Sequence, residues 1–213
     1  MYNVLMAGRK GDDEVARDEL GLLLKQVETL HECGLFLPSR TIYLGSESAG
    51  DDGESGVDAK MVERFLKNAH FLEGMSRDAI TVIMDNVGGD MYHGLAICDA
   101  MVQSPCDVRV VVRGCAMSMG SIILQAADER VMGPLATQMV HYGTSGFWGH
   151  AKTFEKWAAE ERRLNEWMER MYLARIRQRR PGYSLRALRA LLAHDTFLTA
   201  TESIELGLAD RVG

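Results

Sequence analysis

The chain has 213 residues, 46% of them hydrophobic and 25% charged, with 21 glycines against 4 prolines. This balance excludes a disordered, a collagen-like and a disulfide-stapled chain, and the length fits one domain with a sizeable core. A net charge of −6 argues against nucleic acid as the main partner.

No run of about eighteen apolar residues occurs, so no membrane-spanning helix is expected. Met1 to Gly8 has no basic flank and too short an apolar stretch for a secretory signal. Cys33, Cys98, Cys106 and Cys115 show no CxxC spacing and read as reduced thiols of a cytoplasmic protein, in preference to disulfides or zinc ligands. Charge is uneven: residues 1–107 carry 9 basic and 19 acidic residues, hence −10, and residues 108–213 carry 15 and 11, hence +4. Seven arginines and no acid lie between Arg170 and Arg189. A solvated helix face or a subunit interface accounts for that run better than a nucleic-acid patch.

Residues 1–38 form a weakly patterned lead-in. Within it, Glu19 to Cys33 reads as an amphipathic helix with Leu20, Leu23, Leu24, Val27 and Leu30 on one stripe, stopped by Gly34. Thr41 to Leu44 is a short buried strand. Gly45 to Gly56 is polar, acidic and glycine-rich, a surface loop. Val57 to Leu72 is helical by the spacing of Met61, Phe65, Leu66, Ala69 and Leu72. Ala79 to Met84 has strand length, Tyr92 to Val102 is helical, and Val108 to Val112 is a second buried strand. Ser118 to Ala127 is helical, Met139-Val140 ends a short strand, and Ala151 to Gln178 is a long helix. Leu185 to Ala193 and Thr201 to Leu206 are shorter helices. Strands alternating with helices predict an α/β fold with mainly parallel pairing and right-handed crossovers.

Two strands end in unusual turns. Asp85-Asn86-Val87-Gly88-Gly89-Asp90 precedes a helix. Its paired glycines are either an ordinary tight turn or a place where backbone N–H groups face a ligand unobstructed. Gly114-Cys115-Ala116-Met117-Ser118-Met119-Gly120 joins a strand to a helix and puts Ser118 near a helix N-terminus. There it is either an N-cap or a nucleophile whose developing anion the helix start would favour. A serine nucleophile needs a base and an orienting acid. His141, at a strand terminus, is the best-placed of six histidines; His31, His70, His93, His150 and His194 read as surface residues. Asp195, between helical segments, is a reasonable site for a partly buried acid.

These segments together resemble the caseinolytic protease ClpP family, over roughly Arg40 to Val212. Asn86-Val87-Gly88-Gly89 is similar to its Ser-Pro-Gly-Gly strand end. Gly114 to Gly120 matches its Gly-x-Ala-x-Ser-Met-Gly motif in full, and Met139-Val140-His141 resembles Met-Ile-His. Asp195-Thr-Phe-Leu-Thr-Ala-Thr-Glu-Ser-Ile-Glu-Leu-Gly-Leu-Ala-Asp210 resembles its terminal pattern. The resemblance implies a fold of stacked βαβ units, similar to ClpP and crotonases, with a projecting long helix. It implies an extension at residues 1–39 and a serine peptidase domain at residues 40–213.

It further implies Ser118 as nucleophile, His141 as base and Asp195 as orienting acid. The N–H groups of Gly89 and Met119 would form an oxyanion hole. A substrate strand would be held near Gly88, Asp90, Met91, Tyr142 and Gly143. The substrate would be a peptide or unfolded protein, cleaved inside a homo-oligomer of stacked heptameric rings. No cofactor or metal is implied. ATP would bind an unfoldase partner, since this chain lacks a Gly-x-x-x-x-Gly-Lys-(Ser/Thr) loop.

The sequence departs from the family at several points. Ala193-His194 stands where an acid and an arginine usually link the rings. Val87 and Gly143 replace prolines, Gly45–Gly56 is an insertion, and residues 1–38 do not resemble the family's axial loop. Three other readings are a crotonase-type acyl-CoA enzyme, a non-catalytic ring subunit and a nucleic-acid binder using Arg170 to Arg189. Retention of all three triad positions weighs against the first two, and the third rests on charge alone.

Overall fold

A computed structural model describes residues 2–46, 56–143, 146 and 149–213, the side chains of 2–14, 16 and 151 excepted. The expected Gly45–Gly56 loop therefore lies largely outside the described residues.

The chain runs α1 (Tyr2–Cys33), β1 (Leu35–Phe36), a 3-10 turn (Leu37–Ser39), β2 (Thr41–Leu44), α2 (Ala59–Met75), β3 (Ile80–Asn86), α3 (Met91–Gln103) and β4 (Val108–Met117). It continues α4 (Met119–Gln125), β5 (Glu129–Met132), β6 (Thr137–Val140), α5 (Ala151–Arg179), α6 (Leu185–Leu192), β7 (Thr196–Thr199), α7 (Ala200–Leu206) and β8 (Arg211–Val212).

The β-branched runs of β2, β3 and β4 are buried at alternate or successive positions and pair in parallel. The sheet order is β1-β2-β3-β4-β5-β8, with β1 antiparallel at one edge. Strand β4 changes partner along its length. Its first half pairs with β5 and its second half with β6, both in parallel, and β6 then pairs antiparallel with β7. The C-terminal ends of β3, β4 and β6 thereby converge, the position where open α/β sheets carry their sites.

Helices α2, α3 and α7 each start on a polar cap. Asp58 accepts from Met61 N at 2.7 Å, Asp90 from His93 N at 2.9 Å, and Thr199 and Glu202 form a reciprocal capping box on α7. Helix α2 buries Val62, Phe65, Ala69 and Leu72 at helical spacing, and α5 buries Leu164, Met168, Tyr172 and Ile176. The central helix α4 is buried at every residue. The half of α5 before Arg163 is mostly exposed and projects from this core.

The expected α/β order is present, with three differences. Helix α1 begins at Tyr2, well before Glu19, and its Leu20, Leu23, Leu24 and Val27 are exposed. The stripe is present, but among the described residues no element covers it. Strand β4 runs to Met117 through what read as a turn, because β6 supplies its second half with a partner. Strands β1, β5, β7 and β8 go beyond the sequence reading; two are only two residues long, and β5 includes Glu129 and Arg130.

Candidate active site

Strand register brings the distant residues together. In the β6–β7 pair Met139 faces Phe197 and Val140 faces Thr196, so one further step sets His141 opposite Asp195. In the β4–β6 pair Met117 faces Met139, and Ser118 N–H donates to Met139 O at 3.0 Å. Ser118 therefore sits beside the strand end that carries His141.

The side chains complete a chain of contacts. His141 Nε2 lies 2.8 Å from Ser118 Oγ, and His141 Nδ1 lies 2.8 Å from Asp195 Oδ1. With the neutral ring protonated on Nδ1, the imidazole donates to Asp195 and accepts from the Ser118 hydroxyl. Ser118 occupies the N-cap position of α4, yet its side chain makes no capping bond. The hydroxyl meets His141 Nε2 and leaves the helix start uncapped. Ser118 also has φ 50 and ψ −120, a sparsely populated conformation for a residue with a Cβ, of the kind that clusters at functional sites.

The Asp85–Asp90 turn lies against this serine. A Cβ at Gly88 would stand 2.6 Å from Ser118 Cβ and 3.1 Å from Met119 N. Only glycine allows that approach, and Gly88 (φ 106) and Gly89 (φ 141) both use the left-handed region. Val57 N–H donates to Gly88 O at 2.6 Å, Asp90 N–H donates to Val57 O at 2.8 Å, and Gly88 N–H donates to Asn86 Oδ1 at 2.9 Å. The Gly89 N–H takes part in none of these bonds. Met119 N–H is the first amide of α4 and one of its orphan donors. Both amides belong to segments packed against Ser118.

A cleft of about 1140 Å³ opens at this point. Ser118, His141, Gly89 and Met119 line it, as do Asp90, Met91, Tyr142 and Gly143. Gly88 does not line it, and both of its backbone polar groups are engaged within the chain. Within the chain, Gly88 shapes the turn behind the serine. Ile122, Leu164 and Met168 give the cleft an apolar wall, and Trp157 and Phe154 of α5 lie further along it. Asp195, expected to be partly buried, has a side chain 61% exposed. It stands at the open start of β7, with nothing over it among the described residues. Of the remaining histidines, His31, His70, His150 and His194 are exposed, and His93 is half-buried on the cleft wall.

Several supporting residues were missed. Asn86 is fully buried, folds the Gly88 turn, and donates through Nδ2 to Gly45 O at 2.8 Å. Ser46 Oγ accepts from Val87 N–H at 2.8 Å, a bond that the proline expected at that position could not make. Gly143, the other replaced proline, has φ 79, which proline cannot adopt. Glu169 is buried on α5 between Tyr142 and Arg189. The only sequence signal for it was an acid on an otherwise apolar helical stripe.

All four cysteines are free thiols; Cys98 and Cys106 are buried and Cys33 is exposed. Burial, and then the neighbouring Asp85 carboxylate, push the Cys115 thiol up to about 11. Among the described residues no group of three or more His, Cys, Asp or Glu could hold a metal ion, and no helix is long and apolar enough to cross a membrane.

The Clp protease family model matches residues 36–213. The chain is 27% identical over 179 residues to an ATP-dependent Clp protease proteolytic subunit of Deinococcus radiodurans, covering 83% of this chain and 81% of that protein. It is 31% identical over 182 residues to ATP-dependent Clp protease proteolytic subunit 2 of Nocardia farcinica, again covering 83% of this chain and 81% of the relative. The chain belongs to the Clp protease family, whose members generally form oligomeric rings that work with ATPase partners.

Proposed function

We propose that this chain is a serine endopeptidase that hydrolyses peptide bonds through Ser118, His141 and Asp195. The observation that carries the reading is the pair of 2.8 Å contacts linking the three side chains through one imidazole. His141 Nε2 takes the Ser118 proton as Oγ attacks the peptide carbonyl. The imidazolium then gives that proton to the leaving amine, and Asp195 stabilises it and fixes the ring's tautomer. The resulting acyl-enzyme is hydrolysed by water, with His141 again the base. The Gly89 and Met119 N–H groups receive the oxyanion of each tetrahedral intermediate.

An extended peptide would lie along the cleft beside Asp90, Met91, Tyr142 and Gly143. The apolar wall of Ile122, Leu164 and Met168 favours an apolar side chain on the acyl side of the scissile bond. Residues 40–213 form the peptidase unit, and residues 1–39 an extension to it. The substrate is a peptide or unfolded polypeptide, cleaved within a homo-oligomeric ring or stacked rings in the cytoplasm. Any ATP-driven unfolding belongs to a partner. The chemistry needs no cofactor, because nucleophile, base and oxyanion donors all come from the chain.

Hydrolysis of fluorogenic peptides by wild type and Ser118→Ala, at equal folded concentration, tests the reading. Wild type should turn over, and the variant should lose on the order of 10⁶-fold in kcat. Equal rates for the two would remove Ser118 from the chemistry. Turnover of CoA thioesters that survives Ser118→Ala would point to the acyl-CoA reading instead.

A further inference from the structure

Tyr142 follows His141 directly in the chain, yet its hydroxyl donates to Glu169 Oε1 on α5. Glu169 is only 6% exposed. Arg189 of α6 grips the same carboxylate through two bonds, Nε to Oε1 at 2.8 Å and Nη2 to Oε2 at 3.0 Å. The Tyr142 N–H donates to Leu192 O, the last residue of α6, at 3.0 Å. On the far side of Asp195, the Thr196 hydroxyl donates to Leu191 O at 2.7 Å.

Ala193 and His194, which connect α6 to Asp195, are exposed. The position of Asp195 therefore comes from the tied ends on either side of it. One end is the close of α6, which Arg189 anchors to α5. The His141 strand end is anchored to the same carboxylate through Tyr142. A single buried side chain on the long helix thus holds both the base and the acid of the triad.

We propose that Tyr142, Glu169 and Arg189 are positioning residues that set the His141–Asp195 geometry, a role that rests on the peptidase reading above. None of the three touches the reacting atoms. Glu169 is buried but Arg189 is more than half exposed, and an ion pair open to solvent adds little net stability. The forked arginine contact gives this one a fixed geometry, and the Tyr142 phenol ties that geometry to the residue next to the base. Burial, and then Glu169, push that phenol up to about 12, so Tyr142 remains a donor at neutral pH.

The test is steady-state peptide hydrolysis by Tyr142→Phe, Glu169→Gln, Arg189→Lys and Arg189→Ala. Each rate is divided by the concentration of sites titrated with a fluorophosphonate. Tyr142→Phe and Glu169→Gln should each lower kcat per titrated site about tenfold, with KM within about twofold, because loss of orientation acts on the chemical step. The double variant should be no slower than the slower single variant, since both break one connection. Arg189→Lys should retain more activity than Arg189→Ala. Should Glu169→Gln fail to fold, Tyr142→Phe and the exposed Arg189 variants decide the matter. Unchanged kcat per site in Tyr142→Phe and Arg189→Ala, with only the number of titratable sites or the melting temperature reduced, would overturn the proposal while leaving the peptidase reading standing. A wild type that neither labels nor hydrolyses would overturn both.

Discussion

At Ser118 the backbone conformation supports the proposed role as nucleophile. A serine kept only as a helix cap would not need φ 50 and ψ −120, a conformation that costs on the order of 1–3 kcal/mol in a residue with a Cβ. Glycine adopts it without that cost, while alanine retains it. Ser118→Gly is therefore expected to be more stable than Ser118→Ala by about 1 kcal/mol in denaturant unfolding, after allowing for glycine's greater unfolded-state entropy. Equal stabilities would show that the conformation carries no strain. Gly88 gives the complementary test. A methyl group there would press on Ser118 Cβ and on the Met119 amide. Gly88→Ala should therefore lower kcat by about 10²-fold through displacement of the proposed oxyanion donor. A variant with wild-type kcat would place the turn outside the chemistry.

Among the elements, those that position the site were the easiest to read. Thr41–Leu44 and Ala79–Met84 showed as short apolar runs, and the strand-end motifs lay directly on them. What could not be read was which strand ends meet. His141 and Asp195 are adjacent because β6 and β7 pair antiparallel, and Thr196–Thr199 has too little pattern to announce itself as a strand. The exposure of Asp195 and the engagement of Gly88 were hidden for the same reason, since both follow from tertiary neighbours.

The C-terminal elements depend on another long-range contact. Arg130 of β5, nearly buried, donates through its Nε to Asp210 Oδ2 at 3.1 Å and through Nη1 to Gln125 Oε1 at 2.9 Å. Burial raises the Asp210 carboxyl, but its bonds from Arg130 outweigh this and leave it below the usual range. A group whose folded pKa is depressed contributes stability above its unfolded pKa, and that contribution is lost as pH falls through the folded value. Asp210→Asn should cost about 2–3 kcal/mol at neutral pH, less than a fully buried pair because Asp210 keeps some solvent contact. The gap between variant and wild type should narrow in urea melts at acidic pH. A gap independent of pH would contradict this account.

For the molecule as a whole, the surfaces left uncovered are as informative as the core. The Leu20, Leu23, Leu24 and Val27 stripe of α1, and Phe154 and Trp157 on the otherwise charged projecting half of α5, are apolar and exposed on the single chain. Apolar surface of this extent fits burial between subunits better than a free monomer. Sedimentation should therefore give a particle several times the 23.7 kDa chain mass, and a monomer at micromolar concentration would contradict a ring. The arginines beyond residue 170 are partly used within the chain: Arg175 donates to Gln125 O and Ala127 O at 2.8 Å, and Arg189 holds Glu169. The basic run is thus in part a structural clamp for α5 and α6. The central claim remains that one hydroxyl among all the serines and threonines of the chain is activated by His141. It is tested most directly by treating the native protein with a fluorophosphonate and mapping the adduct by tandem mass spectrometry. The account predicts a single modified residue, Ser118, with labelling abolished in His141→Ala; an unlabelled chain, or an adduct on any other residue, would contradict it.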